Sequence, residues 1–238
     1  MKIAVFCGRF PAISETFIVE EVCQLLERGN EVVIFSKKRG EKTFTNKKFE
    51  QYKLADKTIH LYSRPKNKFK DALKSFLVSL KNFHKIPKLL NRIGFKGIIK
   101  WNAECFPFYK HYSFDIIHCH FVVNGDLAVK LRSRKIISGK IVTTFHGSGL
   151  VTLNSNKGIY PELIEKGDLF VANSNFTAEV AISKGYPKDR ITYIPAPFNL
   201  EKFQTTQPKF YPKDKIIILS IGRLIPFKGF IYGIKAIK

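Results

Sequence analysis

Short unbroken apolar runs alternate along this chain with longer stretches whose apolar residues recur every three or four positions. The runs Lys2–Cys7 (KIAVFC), Glu31–Ser36 (EVVIFS), Thr58–Tyr62 (TIHLY), Phe114–Phe121 (FDIIHCHF), Lys140–Phe145 (KIVTTF), Asp168–Ala172 and Ile191–Ile194 predict strands. The first, KIAVFC, is apolar throughout, as a strand of a parallel sheet buried on both faces must be. After the first run, Ile18, Val22, Leu25 and Leu26 share one helical face, with Ser14 as the expected N-cap, Glu15 in the first turn and Gly29 as the stop. Asn124–Arg132, Ile159–Lys166 and Asn175–Lys184, the last capped by Ser174, predict further helices. Trp101–Tyr112 reads as helical on both sides of Pro107, and Lys37–Lys57 as polar and irregular. Strand, helix and strand joined by short turns make a right-handed βαβ unit. The fold class is therefore α/β, with a doubly wound parallel sheet.

The pattern changes after residue 195. Pro195–Pro212 holds four of the eleven prolines and has no periodicity, which marks a linker. Ile216–Ile221 then reads as a buried strand, GRLIPFKG (Gly222–Gly229) as a loop, and Phe230–Lys238 as a helix. The expected organisation is one domain over 1–195 with a basic insert at 64–112, a linker at 196–214, and the first strand-loop-helix of a second, incomplete domain at 215–238. In open α/β sheets ligands bind beyond the carboxyl ends of the strands. Arg223 and Lys228 put two cations there, across a loop bounded by Gly222 and Gly229. This spacing suits a diphosphate clamp, and it also suits two solvated cations in a plain turn.

Composition adds a strong charge. The 238 residues carry 41 Lys and Arg against 19 Asp and Glu, a net +22, with 45% hydrophobic residues and 22 Phe. Such an excess invites an anionic partner: nucleic acid, a membrane surface or phosphorylated small molecules. It is concentrated between Arg64 and Lys100, where eleven Lys or Arg face the single acid Asp71. Apolar residues recur among these cations (Phe69, Leu73, Phe76, Leu77 and Leu80, then Ile86, Leu89, Leu90 and Ile93), which reads as two basic amphipathic helices. They fit either a membrane-facing surface, with Lys74, Lys81, Lys85 and Lys88 outermost, or a solvated lysine-rich face packed on the sheet. Cys7, Cys23, Cys105 and Cys119 show no CxxC spacing, and the expected setting is reducing and cytoplasmic, with peripheral binding to the inner face of the plasma membrane as its extension. Neither a signal-peptide core nor an apolar run of about 20 residues is present.

The candidate chemistry lies in the histidines. His118 and His120 fall near the end of one expected strand and His146 just after another, followed by Gly147. Strand alternation turns His118 and His120 to one face and Cys119 to the other. Imidazole can donate or accept hydrogen bonds near neutral pH, which suits sugar hydroxyls or phosphate. No acid or Cys completes a metal-ligand spacing, so neither a metal nor another cofactor is expected. The first loop lacks GxGxxG, which argues against a dinucleotide-binding dehydrogenase, although Gly8 and Pro11 can form a turn whose backbone approaches a ligand.

Five stretches together resemble one family: FPAISETFIVEEVCQLLERGNEVVIFS, DIIHCHF, TTFHGSGL, NSNFTAEVAISKGYPKDRITYIPAPFNLEKF and SIGRLIPFKGF. They are similar to the retaining glycosyltransferases of family 4 type, with the GT-B fold of the glycogen-synthase-like superfamily; the SETF form resembles the exopolysaccharide and colanic-acid-type members. The resemblance implies two Rossmann-like domains facing across a cleft, the first for the acceptor and the second for a nucleotide-sugar donor. It implies that Arg223 and Lys228, with Gly222, hold the donor diphosphate and that His120 is the active-site histidine near the transferred sugar. It further implies that Gly8, Ser14, His118, His146 and Gly147 line the cleft. The donor is then a substrate, and the acceptor a glycan or a lipid-linked glycan in surface polysaccharide synthesis. The family's pair of glutamates separated by seven residues does not follow GRLIPFKG in this chain, so an early truncation with weak or no activity is expected. A different class, a non-catalytic basic module on nucleic acid or an anionic membrane, rests on charge alone and shows no recognition-helix motif.

The basic insert yields a direct expectation. Each Lys or Arg near an anionic leaflet contributes about 1 kcal/mol, falling off within a Debye length. The protein should co-sediment with anionic liposomes, less so as salt rises, and replacing Lys74, Lys81, Lys85 and Lys88 with Glu should abolish this without unfolding. Equal binding to neutral and anionic vesicles, or none to either, would leave these lysines as a solvated face.

Overall fold

The computed structural model describes residues 1–41, 46–61, 77, 80, 86–87, 105–147, 150, 159–195, 214 and 216–237. It divides into two compact units, Met1–Pro197 and Phe198–Lys238. The first is built on a seven-stranded, all-parallel sheet. Its strands are β1 (Lys2–Phe10), β2 (Glu31–Arg39), β3 (Thr58–His60), β4 (Ser113–His120), β5 (Ser138–Phe145), β6 (Leu169–Ala172) and β7 (Ile191–Tyr193), in spatial order β3-β2-β1-β4-β5-β6-β7. The helices are α1 (Thr16–Glu27), α2 (Lys47–Gln51), α3 (Val122–Ser133), α4 (Pro161–Lys166) and α5 (Asn175–Ser183). This is the Rossmann-like, doubly wound architecture that the apolar runs predict.

Two hydrophobic clusters lie on opposite faces of the sheet, sorted by strand alternation. Ile3, Val5 and Cys7 of β1 join Ile18, Val19, Val22 and Cys23 of α1 with Val32 and Ile34 of β2. Ala4 and Phe6 turn the other way and join Ile117 and Cys119 of β4, Ile141 and Phe145 of β5, and the buried sides of α3, α4 and α5. All four cysteines are buried. Helix α3 lies close on β5 because Gly125 has no side chain: a Cβ there would come within 2.4 Å of Thr143 Oγ1 and 2.9 Å of its Cγ2.

Several boundaries differ from the sequence reading. Ser14 does not cap α1; it lies exposed in a 3-10 turn, Ile13–Glu15, and Glu15 occupies the N-cap position without a side-chain cap. Gly8 lies inside β1 rather than in a loop, because pairing with β2 continues to Phe10↔Arg39. Lys37–Lys57 is not wholly irregular: β2 runs on to Arg39, and Asn46 caps α2 by accepting the Phe49 amide at 3.2 Å. Ser174 does cap α5, accepting from the Thr177 amide at 3.1 Å. Within the basic insert Lys74, Lys81, Lys85 and Lys88 lie outside the described residues; Leu77 and Leu80 are helical and exposed, and Ile86 packs on the core.

In the second unit Ile216–Ile221 forms no strand, and Ile216, Leu219 and Ile221 are exposed. A strand needs a neighbour's backbone for its ladder, and the described residues of this unit offer none. The rest follows the expectation: a 3-10 turn at Pro226–Lys228, Gly229 in the left-handed region at φ +67°, and helix α6 (Phe230–Ala236).

Asp168, at the entry to β6, ties three elements of the first unit together. Its carboxylate accepts the Ile141 amide at 2.9 Å and pairs with Arg132, while Lys140 approaches at 3.4 Å. Arg190 donates to the carbonyls of Ile164, Glu165 and Gly167, satisfying the open C-terminus of α4. Burial alone would raise the Asp168 carboxyl, but the Ile141 amide and Arg132 outweigh it and hold it below its usual range. A depressed carboxylate adds stability that is fully present above its unfolded value near 4 and is lost as pH falls through its folded value. Asp168→Asn should therefore destabilise the fold by about 1–3 kcal/mol at pH 7. In urea titrations the gap to wild type should narrow below about pH 4; an equal gap at pH 7 and pH 3 would contradict this.

Candidate functional site

The strand order reverses between β1 and β4, which run side by side while their following connections leave in opposite directions. Such a switch point opens a crevice at the carboxyl ends of the strands. A cavity of about 540 Å³ runs from those ends along the open face of the sheet as far as Met1 and Leu25. Its floor is apolar (Ile3, Ile116, Val142, Leu169, Val171 and Ile194), and at the strand ends it meets Phe17, Glu21, His118, His120, Thr144 and His146.

The histidines stand where pairing puts them. Val5 of β1 faces His118 of β4, and in β5 Val142 faces His118 and Thr144 faces His120. His118 and His120 thus share one face, with ring centroids 4.6 Å apart, and Cys119 is in the opposite core. His146 follows β5, and its Nε2 lies 3.0 Å from His120 Nδ1. Gly147 after it has φ +77°, a conformation that favours glycine. Phe121, directly after β4, is held at φ +70°, unusual for a bulky side chain. Its amide donates to the Thr144 carbonyl at 2.9 Å and its ring lies 4.7 Å from that of His146. Asn124 Nδ2 donates to the His120 carbonyl at 2.6 Å. The turn after β4 is therefore strained and pinned at the point where the histidines gather.

Glu21 completes the array. Its carboxylate contacts His118 Nδ1 at 2.5 Å and lies 3.6 Å from His120 Nε2, while His118 Nε2 lies 2.8 Å from Thr144 Oγ1. Burial would raise the Glu21 carboxyl, but His118 beside it brings it below the usual range. Burial pushes the His120 imidazole down to about 3 and that of His146 to about 4, against the opposing pull of Glu21. Both rings are therefore neutral at physiological pH, each with one N–H donor and one bare acceptor nitrogen. The arrangement can bind hydroxyl groups from either direction, and it holds one carboxylate whose charge faces the cavity.

Of the residues singled out from sequence, His118, His120 and His146 come together here. Gly8 and Ser14 do not line the cavity. Gly222, Arg223 and Lys228 lie in the second unit, where Gly222 backs onto the Phe230 ring and Arg223 and Lys228 are both exposed. Lys228, Gly229 and Phe230 border a concavity of about 670 Å³ in that unit. Glu21, Phe17, Thr144 and Asn173 were not anticipated. Phe17, Glu21 and Leu25 repeat at four-residue intervals beside the buried stripe of α1, and a carboxylate on a helical line otherwise apolar was the available signal.

A parallel α/β domain with a histidine-rich crevice at its switch point is the setting in which the comparisons with known proteins fall. The chain belongs to glycosyltransferase family 4, whose family model matches residues 14–202. It is 29% identical over 244 residues to WcaL of Salmonella typhimurium, named for colanic acid biosynthesis, and 29% over 251 residues to the amylovoran biosynthesis glycosyltransferase AmsK of Erwinia amylovora. Both matches cover 99% of this chain, which spans 60% of the length of either relative. Among solved structures it is similar to the lipopolysaccharide outer core galactosyltransferase WaaB, with 18% identity, a TM-score of 0.47, and coverage of 81% of this chain and 44% of that one. A second is Anabaena HepE in complex with UDP and glucose, with 14% identity, a TM-score of 0.43, and coverage of 87% and 47%. Family membership does not favour the reading as a basic nucleic-acid module. Among the described residues no helix is long and apolar enough to cross a membrane.

Proposed function

We propose that the whole protein transfers a sugar from a nucleotide-sugar donor to a glycan or lipid-linked acceptor, with retention of anomeric configuration, in surface polysaccharide synthesis. The observation that carries this reading is the family match over residues 14–202. The chemistry of each candidate group agrees with it. Breaking the bond between sugar and nucleoside diphosphate builds negative charge on the β-phosphate. Arg223 and Lys228 would oppose that charge; fixed cations placed where charge develops are often the largest single aid to such a step. Lys228 lies on a turn kept tight by its amide donating to the Ile225 carbonyl at 2.9 Å and that of Gly229 to Pro226 at 3.0 Å, and the Ile225 amide donates back to the Arg223 carbonyl at 2.8 Å. With two cations on the leaving group, a divalent ion is not needed at the diphosphate.

The crevice of the first unit supplies what a sugar needs. Beyond the hydrogen bond they share, neutral His120 and His146 leave one donor and one acceptor for hydroxyls, the aromatic edges of Phe17 and Phe121 bound the rings, and Glu21 accepts one further hydroxyl. We assign His120 the catalytic role of holding the transferred sugar, with His118, His146 and Gly147 as the wall around it. The apolar floor beneath suits an acceptor with an apolar part. The basic insert would hold the protein at an anionic leaflet on the cytoplasmic side, where a lipid-linked acceptor resides.

Nucleoside diphosphate release should be measured with a panel of nucleotide-sugars and membrane acceptor extracts, using the gene product as the cell makes it. His120→Ala should lower turnover by about 100- to 1,000-fold, as loss of one group placed for the transition state does, and Arg223→Ala should do likewise. The product anomer read by NMR should match the donor's. Wild-type turnover in both variants would remove these assignments, and an inverted product would overturn retention.

A further inference from the structure

One carboxylate faces two imidazoles at the rim of the crevice, and a third ring stands behind them. Glu21 lies 2.5 Å from His118 Nδ1 through one oxygen and 3.6 Å from His120 Nε2 through the other. His120 Nδ1 in turn lies 3.0 Å from His146 Nε2. A neutral imidazole carries a single N–H on one nitrogen or the other, and what one nitrogen faces decides the state of both. We propose that Glu21 is a positioning residue that fixes His120, and through it His146, as their Nε2–H tautomers. The crevice then presents a donor at His120 Nε2 and an acceptor at His146 Nδ1.

Two neutral rings can share their hydrogen bond in two ways. In the first, His120 Nδ1–H donates to His146, and His120 Nε2 is left as a bare lone pair. That lone pair would face a carboxylate oxygen across 3.6 Å. His120 is 1% exposed, and its Nε2 has no hydrogen-bond partner among the described residues to come between them. Repulsion in such a dry site is several times what it is in water. In the second, His146 Nε2–H donates to His120 Nδ1, and His120 Nε2–H turns its positive end to Glu21. The bond between the rings is alike in both, so the carboxylate decides.

Glu21 is held in place to do this. Its other oxygen takes the N–H of His118 Nδ1, and His118 Nε2 is engaged by Thr144 Oγ1 at 2.8 Å. The rings of Phe17 and Phe121 flank the histidine pair and bring no charge, with Phe17 4.7 Å and Phe121 4.7 Å from His146. At 3.6 Å the His120 N–H is drawn towards Glu21 without forming a hydrogen bond, so it is still there to be given. What it meets follows from the sugar reading, on which this one step rests. A hydroxyl seated there accepts from His120 and donates to Glu21, whereas a carboxylate or phosphate would meet the Glu21 charge.

The full 238-residue protein, labelled with ring-¹⁵N histidine, is read at neutral pH by long-range ¹H–¹⁵N correlation, which separates protonated from bare ring nitrogens. His120 and His146 are identified by the contacts of their ring protons with Phe17 and by the signals lost in His120→Asn and His146→Asn. Both should show a protonated Nε2 and a bare Nδ1, favoured over the other tautomer by about tenfold or more. Glu21→Gln keeps the size and removes the charge, and should lower that ratio about tenfold; a merely structural side chain would not move it. Circular dichroism checks that the variant is folded, and if it is not, the wild-type spectrum alone decides. A bare Nε2 or a doubly protonated ring at His120 in wild type, or an unchanged ratio in folded Glu21→Gln, would overturn the proposal. No sugar enters the measurement, so it stands or falls separately from the turnover assay.

Discussion

A strand paired on both sides can slip only by breaking two ladders at once, and a slip of one residue turns every side chain to the other face. β4 is such a strand, with Ile3–Phe6 against Ile116–Cys119 on one side and Ile116–His120 against Lys140–Thr144 on the other. Its register decides whether His118 and His120 face the crevice or the core. The cost of the wrong register is explicit: Cys119 and Ile117, now wholly buried, would take the open face, and two imidazoles would enter a cluster of Phe, Ile and Val. Burying polar rings there without partners costs several kcal/mol by general transfer estimates. The hydrophobic pattern of one strand therefore places the polar groups of the site.

That dependence explains which parts were legible in the sequence. His118, His120 and His146 could be read because their placement follows from strand alternation and from sitting near strand ends, both local properties. Glu21 could not. It meets His118 only because α1 crosses back over β1, and the distance between α1 and β4 is a tertiary quantity. Ile216–Ile221 fails for the converse reason: its composition is that of a central strand, but composition supplies no neighbour to pair with. Gly8 was displaced by a continuation of pairing to Phe10, and Ser14 by the 3-10 turn Ile13–Glu15, neither of which a residue type announces. The resemblance to family 4 glycosyltransferases reached further than propensity did, because it rests on stretches such as DIIHCHF and SIGRLIPFKGF whose residue choice local structure does not dictate.

The electrostatics of the crevice follow from its depth. Histidines in water titrate near neutrality, yet His120 and His146 are pushed well below it by burial. Their proximity would be costly if both were charged; as neutral rings they can exchange a hydrogen bond across 3.0 Å. The same burial that holds them neutral keeps a lone pair available, which is what hydroxyl recognition requires. Glu21 keeps its charge there, held below the usual carboxylate range chiefly by His118 beside it.

The position of the crevice is itself a consequence of handedness. Parallel strands joined by right-handed crossovers put their helices on a face set by the direction in which the sheet grows. From β1 to β2 the chain moves one way, and α1 covers the face bearing Ile3, Val5, Val32 and Ile34. From β4 through β7 it moves the other way, and α3, α4 and α5 all pack with the opposite cluster. On the first face, therefore, helix α1 ends its cover near β1, and Ile116, Val142, Leu169 and Val171 of the later strands become the floor of the cavity rather than part of a helix-packed core. Glu21 stands at the border of that cover, the last polar group of α1 before the open floor begins. A carboxylate is held there because the two histidines of β4 rise directly beside it. Chain direction, strand register and one helical position together produce a polar rim on an apolar floor, and every functional assignment made for the first unit draws on that contrast.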